Sequence, residues 1–209
     1  LSLDAYRGFI MRLLATSAFQ LHKLRTAPGF ETGPLWDAVF YQFSHPLWRA
    51  CSFWDLIQPS FMFMVGVAAP YSIASRRARS ESEKSIFLHT LWRSLLLVLL
   101  GVFLSSNGAK QTNWTFVNVL SQIGLGYPVI VLLAGRPLKT QSLALAGIAL
   151  GSWLLYALYP APGPDFNWAA VGVKHPEQQF SGFAAHWSMN ANVGHAVDRW
   201  FLNLFPPHT

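Results

Sequence analysis

Apolar positions in this chain fall in blocks of membrane length, separated by polar stretches rich in Pro, Trp and Asn. Five blocks have the apolar content of helices that cross a hydrocarbon layer about 30 Å thick. They cover residues 6–22, 54–74, 86–105, 115–134 and 141–159. The first block carries Arg7 and Arg12. It reads as a span whose arginines snorkel or face a lumen, or as an amphipathic helix lying in the interface. Gly66, Gly101, Gly124 and Gly126 sit inside the blocks, and Gly147 and Gly151 form a GxxxG pair, the spacing that lets helices approach closely in lipid. The stretch YPAPGPDFNW, Tyr159–Trp168, marks an exit from the membrane. The predicted fold is all-α: a polytopic transmembrane helix bundle of about five spans, residues 1–209 forming part of one domain and 160–209 a tail outside the bilayer.

Composition agrees with a protein that lives in a lipid bilayer. Only 11% of residues are charged and 52% are hydrophobic, against roughly a quarter charged in soluble domains. The chain starts at Leu1 without Met and stops at the loop-like FPPHT, so it reads as a fragment of a longer protein. Asp4 and Arg7 precede the first apolar run and no small-residue cleavage site follows, which argues against a signal peptide. The net charge of +6 would raise the question of nucleic acid in a soluble protein; here its distribution sets topology, and no nucleic-acid partner is expected. Ser75–Ser85 holds Arg76, Arg77, Arg79 and Lys84, and Gly135–Thr140 holds Arg136 and Lys139, so both connections should be cytoplasmic. Segments 23–53 and 160–209 are sparser in Lys and Arg and should be exoplasmic.

Candidate chemistry concentrates where a Trp-rich approach, SHPLWRACSFW, meets the second block. His45 lies there, and an imidazole that titrates near neutral pH can serve as general base or nucleophile. Trp48, Phe53 and Trp54 can shield it from water. Asp55, ten residues on, either orients the ring as the acid of a catalytic triad does or caps the helix entry. Arg93 stands about 12 Å inside its helix at 1.5 Å per residue. It needs a partner, which is either a structural ion pair or an anionic substrate gripped by the planar guanidinium. Asn118 and Gln122, one helical turn apart, are either interhelical hydrogen-bonding groups or, with Asp4 and Trp48, part of a substrate cavity. Asn113, Trp114 and Thr115 match the short N-x-T glycosylation pattern. Cys51 is the only cysteine and His175, His186 and His195 are spaced by eleven and nine, so no metal site is expected. No G-x-S-x-G, Walker or dinucleotide fingerprint is present in its required context.

Several of these segments together resemble the heparan-α-glucosaminide N-acetyltransferase-like integral membrane proteins, particularly their bacterial members. LSLDAYRGFIM resembles the S-x-D-x-F/Y-R-G opening of that family's first catalytic-domain helix. SHPLWRACSFWDLIQPSFMFMVG resembles its H-x-x-W segment followed by D-L-x-x-P-x-F-x-F-x-x-G. WRSLLLVLLGVFL and NVLSQIGLGY are similar to its R-S-x-L-L-x-x-x-G and V-L-Q-R-I helices, and NVGHAVDRWFLN to a non-cytoplasmic Asn-to-Asp-Arg segment. Two positions depart: Ala18 stands where the family often has Asn, and Gln122 precedes Ile123 where it has Arg. The resemblance implies a bacterial inner-membrane acyltransferase that moves an acetyl group from cytoplasmic acetyl-CoA to an exoplasmic amino-sugar or glycan acceptor. It also implies that His45 is the active-site histidine. Arg7, Arg12 and Arg93 would then meet acetyl-CoA from the cytoplasm. A transporter lined by Arg93, Asp55 and Gln122 and a noncatalytic scaffold are the alternatives, and homo-oligomerisation is left open.

Overall fold

A computed structural model of the chain describes residues 2–16, 28–29, 33–46 and 48–206. Its helices are α1 (Ser2–Thr16), α2 (Pro34–Gln42), α3 (Ile57–Ala78), α4 (Glu83–Ser106), α5 (Val119–Ala134), α6 (Leu138–Leu158) and α7 (Val193–Leu202). Short 3-10 turns lie at Trp54–Leu56, Ala169–Val171, Pro176–Gln178 and Gly182–Trp187. Among the described residues there is no strand, so the all-α class stands. The chain divides into two compact units, Leu1–Tyr71 and Ser72–Thr209, with the dividing point inside α3.

Three helices are long and apolar enough to cross a membrane: Trp54–Ala78, counting its 3-10 entry, Glu83–Ser106 and Leu138–Leu158. They match the expected blocks at 54–74, 86–105 and 141–159. The fourth block is shorter than expected, since α5 starts at Val119 and not at 115. Asn118 adopts an extended backbone and its side chain accepts the Ser121 N–H at 2.9 Å, which starts the helix there. Of the first block, residues 6–16 are helical within α1, and 17–22, with Ala18, lie outside the described residues. Two helices were not anticipated. Pro34 opens α2 after an extended Gly33, the preferred N1 position for proline. At α7 the Asn192 side chain accepts the His195 N–H at 3.0 Å.

In the first unit, Ile10 of α1 is buried with Ile57 and Met64 of α3, and Leu3, Leu13, Trp54 and Phe61 pack around them. The Tyr6 hydroxyl bonds Ser60 Oγ at 3.0 Å, and Ser60 donates to the Leu56 carbonyl at 2.6 Å.

In the second unit, α4 and α5 form the closest pair. A Cβ on Gly124 would stand 2.7 Å from the Ser94 carbonyl oxygen and 2.8 Å from Val98 Cγ2. One on Gly101 would collide with Ser121 Oγ and Asn118 Oδ1. Small residues at these points bring the backbones together, as lipid-embedded helices require when no hydrophobic effect drives them. The outer surfaces stay apolar: the hydrophobic window of α6 is 0% buried, and Leu143, Leu145, Ile148, Leu150 and Leu155 are all exposed. Such a face is stable against lipid tails and is a liability in water.

The basic turns are built tightly. Ser80 takes φ +60 after α3, and Glu81 N–H bonds the Arg76 carbonyl at 3.3 Å while Ser80 N–H bonds that of Arg77 at 2.9 Å, a Schellman closure. Arg77 grips Glu83 in a fork at 2.6 and 2.9 Å, and its guanidinium lies against Gly135. The two Arg-rich connections therefore meet at one end of this unit. At the far ends of α4 and α6, the loop before α5 packs on the tail: Trp114 stacks on Phe205 with centroids 5.0 Å apart, and Phe116 meets Phe201 at 5.5 Å.

Candidate functional site

The entry to α3 gathers His45, Ser52 and Asp55 from eleven residues of chain. The sequence S-F-W-D at Ser52–Asp55 has the spacing of a capping pattern ahead of an apolar run, and half of it forms: Asp55 Oδ2 accepts the Ser52 backbone N–H at 2.9 Å, while Asp55 N–H bonds the Ser52 backbone carbonyl at 3.2 Å. The other carboxylate oxygen, Oδ1, lies 2.6 Å from His45 Nδ1. Asp55 thus closes the turn with one oxygen and meets the imidazole with the other.

Ser52 fastens the two ends together. It is 2% exposed, and its hydroxyl has two acceptors in reach, the Ser44 carbonyl at 2.6 Å and Asp55 Oδ2 at 3.1 Å. One proton serves one strong bond at a time, and the shorter contact takes it. The residue before His45 is thereby pinned to the helix entry. Further clips come from α2 and its exit: Gln42 Oε1 accepts the Phe53 N–H at 2.8 Å, Tyr41 donates to the Cys51 carbonyl at 3.3 Å, and Phe43 packs on Trp54 with centroids 5.9 Å apart.

This arrangement fixes the imidazole tautomer. An ionised carboxylate only accepts, so Nδ1 carries the proton toward Asp55, and in the neutral ring Nε2 is the atom with the lone pair. Nε2 has no hydrogen-bond partner among the described residues. The ring is open within its unit: the His45 side chain is 73% exposed and that of Asp55 30%. Trp48 and Phe53 are themselves exposed, so the aromatic shield expected from sequence is not closed by the first unit.

The expected arginines fall in both units. Arg7 and Arg12 are exposed on α1, and Arg7 pairs loosely with Asp4 at 3.8 Å. Because the neighbouring Tyr6 bonds Ser60, this part of α1 lies against the first turn of α3, at the Asp55 end. Arg93 belongs to the second unit and finds its partner in an aromatic face, with its guanidinium 5.5 Å from the centroid of Tyr127; a cation over a ring gains about 0.5–1 kcal/mol when exposed. Asn118 and Gln122, joined by the Gln122 N–H to Asn118 carbonyl bond at 3.1 Å, make separate side-chain contacts. Asn118 precedes α5 as its cap, donating to Ser105 Oγ of α4 and to the Thr115 carbonyl, each at 3.4 Å, and Gln122 reaches back to the Val117 carbonyl at 3.3 Å. Among the described residues no three His, Cys, Asp or Glu side chains converge on a metal position.

Sequence reasoning passed over Ser52 and Tyr6. The S-x-x-D spacing could have revealed the first; nothing local points to the second, whose partner lies 54 residues away.

Fold and site together define a class: an all-helical integral membrane protein with a histidine–carboxylate pair at the mouth of a membrane-length helix. Over 99 residues the chain is 28% identical to the heparan-alpha-glucosaminide N-acetyltransferase of Mus musculus and 27% identical to that of Homo sapiens. Each alignment covers 45% of this chain and 15% of the relative, so the chain spans a small part of the proteins it matches. No family model and no solved structure matches. The similarity is distant.

Proposed function

We propose that this chain is the His-bearing part of a membrane acyltransferase that passes an acetyl group from acetyl-CoA to an amino-sugar or glycan acceptor. The observation that carries the reading is the 2.6 Å contact between His45 Nδ1 and Asp55 Oδ1 at the start of a membrane-length helix. A pair so placed can do base or nucleophile chemistry at the bilayer surface. In direct transfer, Nε2 takes the proton of the acceptor amine or hydroxyl as that group attacks the thioester carbonyl. The tetrahedral adduct then expels CoA thiolate, which takes a proton, and Asp55 stabilises the imidazolium in between. In the two-step route, Nε2 itself attacks the thioester, and the acyl-imidazole is then cleaved by the acceptor. Both routes use the same tautomer.

The charge of the short connections supports the orientation: the Arg76–Lys84 and Arg136–Lys139 connections cytoplasmic, the His45 loop and the tail exoplasmic. Arg93 is a candidate contact for the donor's phosphates. Arg7 and Arg12, on the helix whose Tyr6 bonds Ser60 of α3, are further candidate contacts for the donor.

The test is transfer of labelled acetyl from acetyl-CoA to glucosamine in membranes carrying the full-length protein. His45→Ala should lower transfer by roughly 10²–10⁴-fold, the range of general acid–base catalysis. Transfer unchanged in that variant would remove His45 from the chemistry.

A further inference from the structure

At the α7 side of α6, an apolar groove and a polar pocket share a wall. The groove, about 570 Å³, runs along Gly151, Leu154, Leu155 and Leu158 to Tyr159 and Pro160. The pocket, about 310 Å³, begins at those same two residues and is lined further on by Phe166, His195 and Arg199. The corner between them is held in place, since His186 Nδ1 lies 2.6 Å from the Tyr159 carbonyl oxygen.

The two parts differ in chemistry. The groove lies on the helix whose hydrophobic window is 0% buried, and its lining offers hydrocarbon. His195 and Arg199 stand one turn apart on α7 and face the same pocket. Neither the imidazole nor the guanidinium has a hydrogen bond or ion pair among the described residues, and no Asp or Glu lines the pocket. Unpaired donors at the end of a membrane-length helix, continuous with a groove of acyl-chain character, are complementary to an amphiphile with an anionic head.

We propose that this composite is a binding site for an anionic phospholipid, its acyl chain along α6 and its phosphate between His195 and Arg199. The inference does not depend on the acyltransferase reading. It requires only that α6 lie in a bilayer.

Native mass spectrometry of the full chain in mild detergent tests it, with phosphatidylglycerol, phosphatidylcholine and soluble glycerol phosphate as separate probes. Phosphatidylglycerol should be retained. Arg199→Gln, an exposed site that should not disturb folding, should weaken retention roughly tenfold, the scale of one charge-assisted hydrogen bond. Gly151→Phe should do the same from the apolar side, since Gly151 lines the groove and a Cβ there meets nothing within 4 Å. Equal retention of phosphatidylcholine, or unchanged phosphatidylglycerol retention in both variants, would overturn the proposal. Glycerol phosphate bound as tightly as the lipid would make the pocket a soluble-anion site. A dimer lost in Gly151→Phe with lipid retention intact would assign the groove to a second copy.

Discussion

The His45–Asp55 entry and the α4–α5 pair hold themselves together in opposite ways. At the entry, polar side chains bind each other and nearby backbone: His45 meets Asp55, Asp55 accepts the Ser52 N–H, Ser52 donates to the Ser44 carbonyl and Gln42 accepts the Phe53 N–H, at 2.6–2.9 Å. In the α4–α5 pair, side chains are largely removed so that backbones meet at Gly101 and Gly124. There the hydroxyls of Ser94 and Ser121 are buried without a partner among the described residues. Polar bonds in the first region fix the direction of a reactive group, each at a net contribution of about 1 kcal/mol. Close contact in the second fixes helix spacing. Precise chemistry and tight packing are thus assigned to different parts of the chain.

The largest break in this contrast should come from bulk at the packed pair. Gly124→Leu drives a side chain into the Ser94 carbonyl, a backbone atom that cannot swing away. It should lower stability by about 3 kcal/mol or more, read as a drop in the detergent melting midpoint. A melting point within a degree of wild type would mean that α4 and α5 are not held by this contact.

A smaller effect should follow at the entry. Ser52→Ala leaves the backbone bond to Asp55 in place but deletes the hydroxyl that reaches the Ser44 carbonyl. Stability should fall by about 1–2 kcal/mol, and hydrogen exchange should accelerate over residues 44–55 while α4 and α5 stay protected. Uniform acceleration across the chain would show that Ser52 serves the fold and not the local geometry.

The smallest effect belongs to the ring under Arg93. Tyr127→Leu keeps bulk and removes the quadrupole, and should cost about 0.5–1 kcal/mol. If it also raises the KM for acetyl-CoA several-fold without changing kcat, Arg93 contacts the donor and Tyr127 positions it. A shift in stability alone would leave Arg93 as a structural cation.

Sequence was most legible where a single physical quantity decided the outcome. Length and apolarity located α3, α4 and α6 to within four residues at each end, because spanning a bilayer leaves little choice. α5 was read too early because its polar start, Asn118, looks the same in sequence whether it lies in a helix or caps one. α2 and α7 were hidden because both are short and lie in stretches whose Pro, Gly and Asn content reads as loop; only Gly33-Pro34 and Asn192 mark their starts. At the site, the ten-residue separation of His45 and Asp55 was visible, while their contact depends on a turn closed by Ser52. The partner of Arg93, 34 residues along the chain on another helix, carried no local signal.

The central claim is that His45 and Asp55 act as one unit in acetyl transfer. A double-mutant cycle tests it most directly, with single-turnover transfer from acetyl-CoA measured for wild type, His45→Ala, Asp55→Asn and the double variant in membranes. Each single change should slow transfer, and Asp55→Asn should cost nothing further once His45 is gone, because a carboxylate that acts only through the ring has no ring left to orient. Independent, multiplicative losses from the two substitutions would contradict the account.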